Sequence, residues 1–146
     1  MLQPLSTNKP KTPGWQTRLL ETVEGLKATP FAWGQNDCCI FAAKCLDAQY
    51  GTHIAEQVVG QYETEIGCKK FMIKRSGSTD LNAVLGTFLT NRTHPNFAQR
   101  GDLVVFDGDL GPTAGILWSG AVWAMGPDGV ATLRIQDVNI TDVWRV

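Results

Sequence analysis

The chain has 146 residues, 43% of them apolar, with 13 basic against 14 acidic side chains and a net charge of −1. That length predicts a single domain with a real core. The near-neutral balance excludes the basic footprint of a nucleic-acid binder and the polybasic anchor of a membrane-surface protein.

Residues 1–11 are polar and contain proline, and are expected to form an extended arm, leaving 12–146 as the folded domain. They hold no apolar signal-peptide core, and no apolar run in the chain reaches the roughly 18–20 residues of a bilayer span. Thr12-Pro13 predicts a helix start, with Thr as cap and Pro at the first position. Trp15, Leu19, Val23 and Leu26 then recur at helical spacing until Thr29-Pro30 ends the helix.

From Asp37 to about Tyr50 the pattern is helical and apolar over most of its circumference, with Gly51 as the stop. That is the signature of a buried central helix. Thr64 to about Arg75 and Thr79 to about Leu89 are two further expected helices, split by Ser76-Gly77-Ser78. Asn91 to Gln99, containing His94-Pro95, reads as a loop.

After that the period changes from helical to alternating or continuously apolar. Strands are expected at 102–106, 114–118, 121–125 and 130–133, with a closing strand at 142–146. Ser119-Gly120 and Gly126-Pro127-Asp128-Gly129 are the turns between them. Helices first and an antiparallel meander second predict an α+β fold, with the buried helix packed on a sheet of about four to six strands.

Four cysteines stand at 38, 39, 45 and 68, and no pair has Cys-x-x-Cys spacing. They read as reduced thiols of a protein made in cytoplasm, with no metal and no cofactor expected. Cys38 is the informative one. It follows a Trp-Gly turn and an Asp in an N-cap position, so it sits in the first turn of its helix. Free N–H groups and the positive end of the helix dipole favour a thiolate there.

Three segments in order resemble the NlpC-type cell-wall peptidase superfamily, a small form of the papain-like fold. Phe31-Ala32-Trp33-Gly34 with Asp37-Cys38 is similar to its nucleophile motif. Arg100 to Phe106 is similar to its Pro-Gly-Asp-Leu-Val-Phe-Phe strand, and Thr113-Ala114-Gly115-Ile116-Leu117 stands where it has His-Val-Gly-Ile-Tyr. Within that superfamily the chain resembles small phage-encoded proteins among tail genes. They share the Trp-Gly-x-x-Asp-Cys-Cys start, the Ala-Gln-Arg-Gly-Asp strand, the Gly-Pro-Asp-Gly turn and a Trp-Arg-Val ending, here Trp144-Arg145-Val146.

The resemblance implies Cys38 as nucleophile, with Thr113 in the position of the missing His. A hydroxyl there neither takes nor returns a proton near neutral pH. The polar group that should orient the His falls in Trp123-Ala124-Met125, which has none. The two histidines do not substitute. His53 follows the far end of a helix about 20 Å long, and His94 reads as a surface turn. Asp37 reads as an N-cap and Asp102 as a structural turn residue. Trp15, Trp118 and Trp123 fall at core positions, which leaves Trp33 and Trp144 as surface candidates for binding, together with Asp37.

The expectation is therefore a catalytically inactive NlpC-like domain acting as a structural component of a phage tail tip. It would be located in the virion after synthesis in the host cytoplasm. Its partners would be hub or tip subunits, with no nucleic acid and no membrane, docking through residues 1–11 and the Trp144-Arg145-Val146 ending. Two alternatives stand beside it. One is an active cysteine peptidase or amidase on peptidoglycan stem peptides, and the other is a binding module that kept the groove without the chemistry.

Overall fold

The computed structural model describes residues 10–146. Its helices are α1 (Trp15–Leu26), α2 (Cys38–Tyr50), α3 (Ile54–Val58), α4 (Glu65–Ser76) and α5 (Leu81–Leu85). Its strands are β1 (Arg92–Thr93), β2 (Leu103–Gly108), β3 (Gly111–Trp118), β4 (Ala121–Gly126), β5 (Gly129–Arg134) and β6 (Ile140–Trp144). Single 3-10 turns at Pro95–Phe97 and Ile135–Asp137 join strands at the edges. The six strands form one antiparallel sheet in the order β1-β6-β2-β3-β4-β5. The architecture is α+β, with helices before the sheet.

The central helix is the one the sequence pattern selects. Asp37 caps α2 by accepting from the Ile40 N–H, and Gly51, at φ 67°, closes it in the left-handed conformation. Ile40, Phe41, Leu46 and Cys45 are fully buried. Burying each of the larger of these side chains contributes about 1.5–3 kcal/mol, so the helix is held by packing rather than by propensity.

α1 starts later than Thr12-Pro13 predicts. Gly14 occupies the N-cap, at φ 76°, and no side chain caps the helix. Thr12 is drawn instead to the end of α2, where its N–H and hydroxyl both donate to the Gln49 carbonyl, at 2.9 and 3.2 Å. Arg18 donates to the Pro13 and Ala48 carbonyls and to the Thr12 hydroxyl, tying the first turn of α1 to α2.

α3 has no counterpart in the sequence reading, because its cap comes from another helix. The Asp47 carboxylate on α2 accepts from the Ile54 and Ala55 N–H groups and from the Thr52 hydroxyl. α5 is shorter than the 79–89 pattern. The chain turns after Leu85 at Gly86, and Leu89 is buried from the following turn.

Alternation along the strands assigns two faces. Leu103 and Val105 of β2, Ala114 and Ile116 of β3 and Trp123 of β4 share a core with α1 and α2. Val104, Phe106, Leu117, Val122, Ala124 and Val143 form a second core on the opposite face, closed by Leu133, Val138 and Ile140. Burial on both faces explains the unbroken Leu-Val-Val-Phe run of β2.

The chain's two ends correct two expectations. Residues 1–9 of the expected arm lie outside the described residues, but Lys11 is packed, its ammonium 4.0 Å above the Trp15 ring. The Trp144-Arg145-Val146 ending is not a free docking element. Trp144 and Val146 are buried, and Arg145 donates to the Asp102 carboxylate at 3.1 Å and to the Phe97 carbonyl at 2.5 Å. β6 is inserted between β1 and β2, and that insertion buries the ending.

Candidate functional site around Cys38

The turn before α2 is built for close contact. Ala32 and Asn36 form an isolated bridge, and the Asn36 amide donates to the Thr29 and Pro30 carbonyls at 2.9 and 3.1 Å. Gly34 sits at φ 77°, and a Cβ there would lie 1.7 Å from the Tyr62 carbonyl oxygen, so no other residue fits. Asp37 is almost fully buried. One carboxylate oxygen accepts from the Ile40 N–H at 3.0 Å; the other accepts from the Gly34 N–H at 3.0 Å and from the Tyr62 hydroxyl at 2.6 Å. Its acceptor sites are committed to holding the turn and the helix start, which is the capping role read from the sequence. Burial, followed by the Asp37 hydrogen bond, pushes the Tyr62 phenol far above its ordinary range.

Cys38 opens α2 and is partly exposed. The Cys39 thiol donates to its sulfur and lowers its pKa; burial opposes this, and the Ala114 N–H of β3 adds to the lowering. Cys39 is pushed the other way, first by sharing its proton with Cys38 and then with Cys68 of α4. Cys68 is lowered, first by the Cys39 hydrogen bond. Cys45 is isolated in the core, and burial raises it.

No imidazole meets this sulfur. His53 is exposed and stands beyond the far end of α2, a 13-residue helix about 20 Å long. His94 is exposed too. Its Nδ1 accepts from the Asn96 N–H at 3.1 Å, and its ring packs edge-on against Phe97. It follows β1, which β6 and β2 separate from β3, a lateral offset of about 14 Å.

The position assigned to the missing His also shifts. Thr113 pairs with Phe106 on the sheet face turned away from α2, and its hydroxyl donates to the Gly111 carbonyl at 3.0 Å. Ala114 is the β3 residue on the helix face, next to Cys38. The reason is the two-residue period of a strand: a one-residue difference in placement exchanges faces. Across from it, Trp123 and Met125 of β4 share the helix face, and the Met125 sulfur lies 3.6 Å from the Asn36 amide nitrogen. The helix-side face of β3 and β4 is therefore apolar there.

The two tryptophan candidates separate. Trp33 is partly buried, edge-on to Phe31 at 4.9 Å, and packs beside Ile40 and Tyr62. Trp144 is buried, its indole N–H donating to Asn82 at 3.0 Å, so it offers no binding surface. Asp102 is structural. Its carboxylate accepts from the Gln99 and Val146 N–H groups at 2.8 and 3.0 Å as well as from Arg145. Among the described residues no three His, Cys, Asp or Glu side chains are grouped to hold a metal ion. No helix among them is long and apolar enough to cross a membrane.

The family model described as "Domain of unknown function (DUF6950)" matches residues 10–146. The chain belongs to the DUF6950 family. No curated protein matches the sequence.

Two contributors to this DUF6950 site were not legible beforehand. Tyr62 and Cys68 lie 25 and 30 residues after Asp37 and Cys38, in a loop and on a separate helix. A buried N-cap carboxylate demands partners for its outer lone pairs, but sequence does not say which loop supplies them. A cavity of about 30 Å³, lined by Cys39, Cys68, Tyr62, Phe71 and Met72, lies between α2 and α4.

Proposed function

We propose that this DUF6950 domain is an NlpC-like, papain-fold block without its catalytic base, serving as a structural component of a phage tail tip. The observation that carries the inactive half is the surroundings of Cys38: a thiol at a helix N-terminus beside Ala114 of β3, with both imidazoles at other ends of the fold. Acyl transfer to sulfur needs a group that returns a proton to the leaving amine. Among the described residues no imidazole stands near Cys38 to do it. Support for the fold family comes from a Cys-bearing helix packed on an antiparallel sheet, with the three matching motifs meeting around α2, β2 and β3. The tail-tip setting rests on the resemblance of those motifs and of the ending to phage tail-associated proteins.

Incubation with muropeptides, followed by mass spectrometry, tests the inactive half. No product is expected. Cleavage that disappears in Cys38→Ala would overturn it. Proteomics of purified virions tests the setting, and absence of the chain from the particle sinks it.

One observation favours a second reading. The Cys38 thiol is partly exposed and lowered, as a nucleophile's should be. An active peptidoglycan peptidase would then take its base from a partner subunit, and turnover would appear only when that partner is added.

A further inference from the structure

We infer that this chain associates head to tail, the tip of the β2–β3 hairpin of one copy seating on the outer face of α4 of the next. The tip is an arm that the core does not use. Burial along β2 ends at Phe106, yet the ladder runs two pairs further, Asp107 with Pro112 and Gly108 with Gly111. At about 3.3 Å per residue the turn stands about 10 Å past the core. Asp109 and Leu110 form that turn. Leu110 is 88% exposed, more than any other large apolar side chain among the described residues. Two-residue turns favour Asn, Asp and Gly, so a leucine there serves nothing local. Asp107 and Asp109 are exposed beside it. Asp107 accepts from the Asn139 amide at 2.7 Å, and Asp109 has no ion-pair partner among the described residues. The tip is an apolar knob with an acidic rim.

α4 carries the complement. Its inner face is Cys68, Phe71 and Met72, packed with Ile40 and Tyr62. At about 100° per residue, the opposite face is centred on Ile66 and Ile73, two turns and about 10 Å apart. They are 68% and 51% exposed. Lys69 flanks them on one side, and Lys70 and Lys74 on the other. Lys69 is engaged by Glu65 of its own helix at 3.6 Å. Lys70 and Lys74 make no ion pair among the described residues. The outer face of α4 is an apolar strip with a basic rim.

Knob and strip match in both polarity and charge, and one chain carries both. The occupant that fits α4 is therefore the hairpin tip of a second copy. Leu110 enters between Ile66 and Ile73, and Asp107 and Asp109 meet Lys70 and Lys74. The exposure of both patches shows that they do not meet within one chain. Because the two patches are different surfaces, the contact is heterologous. Each dimer keeps one free tip and one free strip, and addition of copies closes a ring or extends a filament. A single knob buries less than the roughly 1,200 Å² of a standard stable interface, so each contact is weak and salt-sensitive. Neither the state of Cys38 nor the setting of the chain enters.

The test is sedimentation velocity of the full chain from about 1 μM to about 1 mM. The weight-average sedimentation coefficient is expected to rise with concentration in dilute buffer. It falls back at about 1 M salt, where the Debye length is about 3 Å. Leu110→Ser, and Ile66→Ser with Ile73→Ser, each weaken association about tenfold to a hundredfold, the loss expected for unburying such side chains. Both changes are at exposed positions, and near-ultraviolet circular dichroism checks that each variant is folded. The decisive sample is the mixture of these two variants. One keeps the strip and the other keeps the knob, so together they form one-to-one dimers that grow no further. Asp109→Lys also weakens association, and mixing it with a Lys70→Glu, Lys74→Glu chain restores the contact. A monomer at every concentration, association unmoved by Leu110→Ser, or a mixture no more associated than its separate components each overturn the inference.

Discussion

Asp37→Ala is the substitution that tests how the site is held together. The carboxylate makes three hydrogen bonds: to the Ile40 N–H, the Gly34 N–H and the Tyr62 hydroxyl. Losing the N-cap alone costs about 1 kcal/mol. The Gly34 N–H and the Tyr62 hydroxyl are left buried without an acceptor, at about 1–3 kcal/mol each. Partial relaxation trims the sum, so the expected loss is about 3–5 kcal/mol, or about 10–15 °C in unfolding midpoint for a chain of this size. Urea unfolding followed by tryptophan fluorescence measures it.

A double-mutant cycle with Tyr62→Phe isolates one bond, with an expected coupling of about 1–3 kcal/mol for a hydroxyl on a buried carboxylate. Asp37→Asn keeps the cap but turns an amide donor toward the Gly34 N–H, and falls between wild type and Asp37→Ala. A loss below about 1 kcal/mol for Asp37→Ala, or a coupling near zero, would refute the account of Asp37 as a buried cap.

The rate of Cys38 alkylation against pH is expected to reach half-maximum below the ordinary thiol range. Cys39→Ala moves that midpoint upward, because the leading cause of the lowering is the Cys39 hydrogen bond; Cys39→Ser, which keeps a donor, leaves it low, and an unmoved midpoint in Cys39→Ala contradicts the assignment. Lys11 is lowered to about 8 by burial, against the attraction of Asp102. Its folded-state pKa lies below its unfolded one, so ionising it opposes folding below pH 8, and that opposition fades as pH rises from about 8 to its unfolded value near 10.5. Carbon-detected NMR of the lysine Cε should show one side chain titrating near 8, and a Lys11 midpoint above 10 counts against the packed position. Thr113→His places an imidazole on the sheet face away from α2, so it is expected to leave the Cys38 pH–rate profile unchanged. A new imidazole-dependent limb near pH 6–7 would mean that β3 does not carry that register.

What could be read in advance was what local chemistry specifies. Asp37 as cap, Gly51 as stop and Ser119-Gly120 as a hairpin turn all act within a few residues of themselves. The failures are cases where a partner distant in sequence decides. Thr12 has every local reason to cap α1, but the Gln49 carbonyl takes it. Asp47 looks like a surface charge on a buried helix, and instead it starts α3. Trp144 looks exposed near the end of the chain, and insertion of β6 between β1 and β2 buries it.

The Thr113 assignment failed differently. The strand and its neighbours were legible, though it begins at Gly111 and not at Ala114; the face was not, because a motif matched by order fixes position along the chain and says nothing about the parity of the pleat. Parity is the decisive quantity for a base that must reach a sulfur. Ala114 and Ile116 face α2 because they must fill the helix-side core, and that requirement sends Thr113 to the far side with Phe106 and Leu117. The core therefore sets which β3 side chain meets Cys38, and it has chosen a methyl group. The Trp-Gly turn survives beside it for reasons of packing: Gly34 admits the Tyr62 carbonyl, and Asp37 anchors Tyr62 and α2 together. A turn with that much structural work to do is required by the packing, whatever the thiol it presents does.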